Sequence, residues 1–213
     1  MNTFTIQSNE YLDLDIKGFY HSDYQGGGNW KVSGTIENLI CTLKNDITPY
    51  SSIVLSAATS RLYDILNDDF LQISRNRKSV GIPKLTVCVI PRAKSEDSYR
   101  DNQKLFRRTV QRVAQNYPTI FEDGTHYIIR HTDTQTTHLA RSGHGGTGDL
   151  PYQGITVDTC DISEMIEGKD ILLVDDLYTR TVNIDEDAIQ ALLDNGADSV
   201  CFYAVGKTVS RYQ

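Results

Sequence analysis

The stretch Ile171-Leu-Leu-Val174 constrains the fold of this chain more than any other. Four consecutive apolar residues, with charged residues on either side, read as a strand covered on both faces. Next comes Asp175-Asp176-Leu-Tyr-Thr179-Arg180-Thr181-Val-Asn183, and then a helical pattern over 185–195. That helix turns Ile189, Leu192 and Leu193 inward and has Gly196 just past its end. A further apolar strand is expected at 200–205. Strand, helix and strand in this order make a βαβ unit, which commits the chain to a parallel sheet with helices on both faces.

The upstream chain repeats the alternation. Leu85-Thr-Val-Cys-Val-Ile90 reads as a second buried strand that stops at Pro91. Helices are expected at 33–45 (Ile36, Leu39, Ile40 and Leu43 on one face), at 51–67 and at 99–117. Shorter strands are expected at 126–130 and 153–157. Residues 132–151 are polar and glycine-rich and read as a flexible loop, with Gly143, Gly145, Gly146 and Gly148 as hinges. At the start, Leu12, Leu14 and Ile16 alternate with Asp13 and Asp15, the period of a half-buried strand. The expected organisation is an N-terminal β appendage over 1–32 and one α/β domain over 33–213. A length of 213 residues allows such a domain to bury a sizeable core.

The junction after Val174 is where chemistry is expected. Ligands of parallel sheets bind beyond the carboxyl ends of the strands. Two adjacent carboxylates there can meet the vicinal hydroxyls of a sugar, or a magnesium ion that does. Thr179, Arg180, Thr181 and Asn183 follow as hydrogen-bond donors, just before a helix whose first amides are unpaired. Backbone donors, helix dipole and side chains then converge on an anion.

This run resembles the phosphoribosyl-diphosphate (PRPP) motif of type I phosphoribosyltransferases: an apolar strand, two acids and a short phosphate loop. Gly168-Lys-Asp-Ile-Leu-Leu-Val-Asp-Asp-Leu-Tyr-Thr179 and Leu192-Leu-Asp-Asn-Gly-Ala197 are similar to the ComF-like, amidophosphoribosyltransferase-related group. Val89-Ile-Pro-Arg92 and Tyr99-Arg-Asp-Asn-Gln103 are similar to that group's strand-Pro segment and its Arg-Gly-Phe-Asn-Gln element. Arg130, Thr134 and Leu139 match its Arg…Thr…Leu stretch. The resemblance covers 35–207 in patches. It implies a Rossmann-like type I phosphoribosyltransferase fold with a small hood or N-terminal appendage. It also implies transfer of ribose 5-phosphate from PRPP to a nitrogen acceptor, with Mg2+ as cofactor. Asp175 and Asp176 would be the ribose and magnesium acids. Tyr178, Thr179, Arg180, Thr181, Val182 and Asn183 would hold the 5′-phosphate, and Arg92 and Lys94 the pyrophosphate. The alternative within the same likeness is a regulatory module that senses PRPP or a nucleotide without turnover, in a DNA-uptake or DNA-linked pathway.

Several features depart from the group. Its zinc ribbon is absent: Cys41, Cys88, Cys160 and Cys201 lie far apart and form no C-x-x-C pair. Thr181 stands where the family loop has glycine, and Asn183 where it has a hydroxyl residue. A threonine forced to positive φ costs about 1–2 kcal/mol. Thr179 occupies the place of the carboxylate base of purine-salvage members, so that reading loses ground.

Net charge of −7 argues against direct nucleic-acid binding. The start lacks a basic region followed by an apolar one, and no apolar run reaches membrane-spanning length, so a cytoplasmic protein is expected, compatible with a homodimer. Arg75-Asn-Arg77-Lys78 and the arginines of 99–117 read as hydrated surface. His126, His131, His138 and His144 lack metal-ligand spacing, although His131 or His138 could assist proton transfer.

Overall fold

The computed structural model describes residues 1–47, 49–82, 84–134, 154–156 and 158–209. Most of the glycine-rich loop, with Leu139, His138 and His144, lies outside them.

Six strands form the central sheet: β1 (Asn2–Ile6), β2 (Ile16–Tyr24), β3 (Leu85–Val89), β4 (Phe121–Asp123), β7 (Asp170–Tyr178) and β8 (Ser199–Thr208). Their spatial order is β1-β2-β8-β7-β3-β4, parallel except for the antiparallel β1–β2 pair at one edge. β5 (Ile128–Arg130) and β6 (Cys160–Ile162) make a separate antiparallel pair. The helices are α1 (Ile36–Lys44), α2 (Ser52–Lys78), α3 (Leu105–Asn116) and α4 (Ile184–Asp194).

Alternation along the strands divides the core into two layers. Leu172 and Val174 of β7 point to the side where α1, α2 and α3 bring Leu39, Leu66, Phe70 and Val110. Ile171 and Leu173 point to the other side, against Ile189 and Leu192 of α4, Ile128 of β5 and Cys160 of β6. The sheet therefore has helices on both faces, the arrangement its unbroken apolar strands require. Its mostly parallel order makes this an α/β protein, compatible with a Rossmann-like fold.

Several expectations shift. Residues 1–32 supply β1 and β2, which extend the central sheet through β2 and β8; they do not stand apart as an appendage. The alternation at 12–16 is a turn before β2: Leu12 and Ile16 are buried, while Leu14 is 48% exposed. The helix expected at 51–67 continues to Lys78, so the basic run 75–78 is its last turn, where cations suit the dipole. Its start is not inward-facing, since Ile53 is 81% exposed. The helix expected from 99 begins at Leu105, after two 3-10 turns. Gly154–Thr156 carry no strand; the partner of β5 is 160–162.

Candidate functional site

β3 and β7 are hydrogen-bonded neighbours, with Val89 level with Val174. From β3 the chain passes through α3 to β4 on one side; from β7 it passes through α4 to β8 on the other. α3 and α4 pack on opposite faces. The strand order thus reverses between β3 and β7, and such a switch point opens a crevice beyond the carboxyl ends. A cavity of about 570 Å³ occupies it. One wall is 90–93, after β3. The other carries Asp175, Asp176, Thr179, Thr181, Val182 and Asp185.

The two acids diverge. Asp176 meets Lys44 Nζ at 3.0 Å, from the last turn of α1. Asp175 lies beside Asp185 in the first turn of α4 and opposes its ionisation, and the Asp176 N–H donates to Asp175 Oδ1 at 2.7 Å. Burial and the charge of Asp176 push the Asp175 carboxyl up to about 7, against the opposing pull of Lys44. Burial and the charge of Asp175 drive Asp185 well above the ordinary carboxylate range. One oxygen of Asp185, a residue only 3% exposed, has no hydrogen-bond partner. Asp176 and Asp175 thus draw on one ammonium and Asp185 adds a third carboxyl, leaving a wall rich in acceptors for hydroxyl hydrogen bonds.

Thr179, Thr181 and Val182 line the cavity. β7 itself runs on to Tyr178, whose ring packs on Phe4 and Phe202 and whose hydroxyl donates to Glu186 at 2.9 Å. Tyr178 is therefore packed in the core and is not among the residues that line the cavity. Arg180 is exposed and turns to Gln7 Oε1 at 2.9 Å, away from the cavity. The positive φ expected at Thr181 falls on Asn183 instead (φ 57°), a residue type that tolerates it. Asn183 thereby sets the entry to α4 with no side-chain cap, and its side chain accepts from Asn9.

Arg92 lines the cavity too, with its guanidinium already engaged within the chain. Its guanidinium pairs with Asp46, donates to the carbonyls of Lys44 (3.1 Å) and Gln103 (3.0 Å) and lies over the Tyr99 ring. Arg100 and Gln103 reach the Asn45 carbonyl beside it. This clamp fixes the end of α1, which places Lys44. Lys94 is exposed and is not among the cavity residues.

Lys44 escaped sequence reasoning because a lysine in a last helical turn ordinarily completes the dipole. Arg107, read as surface, is buried and pairs with Glu96 at 3.7 Å. His126 and His131 are exposed, and their rings meet the neighbouring Thr125 and Thr132 hydroxyls.

Fold and site together define an α/β protein with an acidic crevice at its topological switch point. No protein-family model matches the chain, and no curated protein matches it.

Proposed function

We propose that this protein has the type I phosphoribosyltransferase fold, binds PRPP, and transfers ribose 5-phosphate to a nitrogen acceptor with release of pyrophosphate. The observation that carries this reading is the placement of Asp175 and Asp176 on the cavity wall at the switch point, with Thr179, Thr181 and Val182 following them. Asp175 and Asp176 accept from the ribose hydroxyls. The loop from Thr179 to Val182 offers hydroxyls and amides to the 5′-phosphate. Lys44, next to Asp176, is placed to follow the negative charge that develops on the leaving group. Catalysis in such a site comes from orientation and from water exclusion, with little covalent chemistry.

Mg2+ suits this acid wall as an ion arriving with its ligand. Among the described residues no group of three His, Cys, Asp or Glu is placed to hold a metal. Magnesium, however, keeps several waters and needs only one or two carboxylates beside the oxygens of a phosphate ligand. Asp175 and Asp176 would meet that hydrated ion, which neutralises diphosphate charge when bound. Four free cysteines fit a reducing, cytoplasmic setting.

A second reading, a PRPP or nucleotide sensor without turnover, draws on the Lys44–Asp176 ion pair and on the outward turn of Arg180. Incubation with PRPP and Mg2+ across amine and nucleobase acceptors decides between them. Acceptor-dependent pyrophosphate release is expected; binding with no release in any mixture selects the sensor.

A further inference from the structure

Three basic side chains line the cavity, and one of them forms no ion pair among the described residues. Lys44 has Asp176, and Arg92 has Asp46. Buried Arg107, behind the cavity, has Glu96. Arg130, at the end of β5, is only 3% exposed, yet no ion pair of the described residues includes it. Its Nε donates to the Arg92 carbonyl at 2.8 Å, and its Nη1 is buried with no partner. A guanidinium remains charged under ordinary conditions, and a buried charge without a counter-ion is costly. Here burial is the largest influence, disfavouring the charged form. An anion entering the cavity would relieve that cost.

The position distinguishes this end of the cavity from the acid wall. The acids that most influence Arg130 are Asp187 and Asp133, not Asp175 or Asp176. Asp187 is itself committed, accepting the Ile155 N–H at 2.8 Å. Thr134 fastens the chain after β5 to the Ala93 carbonyl, so Arg130 is held against the loop that follows β3. Ile90, Pro91 and the Tyr99 ring add apolar surface to the lining. Lys44, not Arg130, is the cation beside the acids that hold the ribose.

We propose that Arg130 receives a carboxylate of the acceptor, so that the nitrogen nucleophile is an organic acid with an apolar or aromatic body. This rests on the phosphoribosyl reading, which places ribose and leaving group at the Asp176–Lys44 end. The donor's diphosphate is the other source of an oxyanion, and the test separates the two.

The full chain is titrated with benzoate, with its neutral isostere benzamide and with pyrophosphate, each with and without ribose 5-phosphate. Wild type is expected to bind benzoate at least about tenfold more tightly than benzamide, the scale of one charge-assisted hydrogen bond. Arg130→Met is expected to erase that preference while binding ribose 5-phosphate as wild type does. Arg130→Lys, which keeps the charge and loses the Nε bond to Arg92, is expected to retain the preference, and it also serves if the methionine variant does not fold. Equal binding of benzoate and benzamide to wild type overturns the proposal. So does loss of pyrophosphate rather than benzoate binding in Arg130→Met, or loss of the preference in Arg130→Lys, which would leave Arg130 a structural staple. Failure of ribose 5-phosphate to bind wild type sinks the phosphoribosyl reading, and the benzoate comparison remains readable without it.

Discussion

The chain leaves β3 and β7 side by side, at the same end of the sheet and into the same cavity, but the two exits handle charge in opposite ways. After β3, Arg92 is surrounded: a carboxylate, two main-chain carbonyls and an aromatic face take up its guanidinium. After β7, Asp175, Asp176 and Asp185 crowd together, and Lys44 is paired with Asp176 alone. A charge whose partners all lie within the chain stabilises the fold. Carboxylates crowded together on a cavity wall raise the energy of the empty site and are relieved by what binds there. Both exits line the cavity, but the cation of the first is already engaged within the chain while the acids of the second are left crowded.

If that contrast holds, substitutions at the two exits shift stability in opposite directions. The largest effect is expected from Arg92→Ala, which strands Asp46 and releases the end of α1. Breaking a part-buried charge pair of this kind costs about 3 kcal/mol. At about 2–4 °C per kcal/mol for a chain of this size, the melting temperature should fall by roughly 6–12 °C. A fall within about 2 °C would mean the clamp is not structural.

A smaller effect of opposite sign is expected from Asp175→Asn. The folded-state carboxyl titrates at about 7, above its ordinary range, so the folded protein holds a proton that the unfolded chain releases. The stability this proton confers is fully present below about pH 4 and is lost as pH rises through about 7. Wild type should therefore lose melting temperature between pH 5 and 8.5. The asparagine variant should lose less and be the more stable of the two at pH 8.5. A steeper decline in the variant would break the comparison.

The smallest effect is expected from Lys44→Met. Lys44 keeps some solvent contact, so losing its pair with Asp176 should cost about 1 kcal/mol, or roughly 2–4 °C. The variant sharpens the contrast in a second way. With the ammonium gone, millimolar Mg2+ alone should raise its melting temperature more than that of wild type. An identical response would show that Lys44 does not balance the acids.

How far the sequence foretold this arrangement depended on range. The β7–acid–α4 succession was legible because periodicity, paired acids and a helix start all lie within about twenty-five residues. The parallel sheet followed from it. Where β7 ends was not legible: its apolar run stops at Val174, but the pairing with β8 carries Tyr178 into the core. Arg92 and Lys44 acquire their roles from contacts 46 and 132 positions away in sequence, to Asp46 and Asp176, and no local pattern encodes them. The edge strands escaped as sheet members because a short alternating stretch does not say which sheet it joins. Arg130 was visible only as a basic residue at a strand end; what gives it meaning is that it forms no ion pair among the described residues, a property of the folded state.

In the proposed function, the acids at the end of β7 face a ligand that carries ribose and phosphate. Thermal unfolding of wild type and of the Asp175→Asn, Asp176→Asn double variant, with and without PRPP and Mg2+, tests it most directly. Ligand at about a hundred times its dissociation constant stabilises by about 2.7 kcal/mol, so wild type should gain roughly 5–10 °C and the double variant nothing. An unchanged wild-type curve at millimolar PRPP, or a gain that survives in the double variant, would contradict the account.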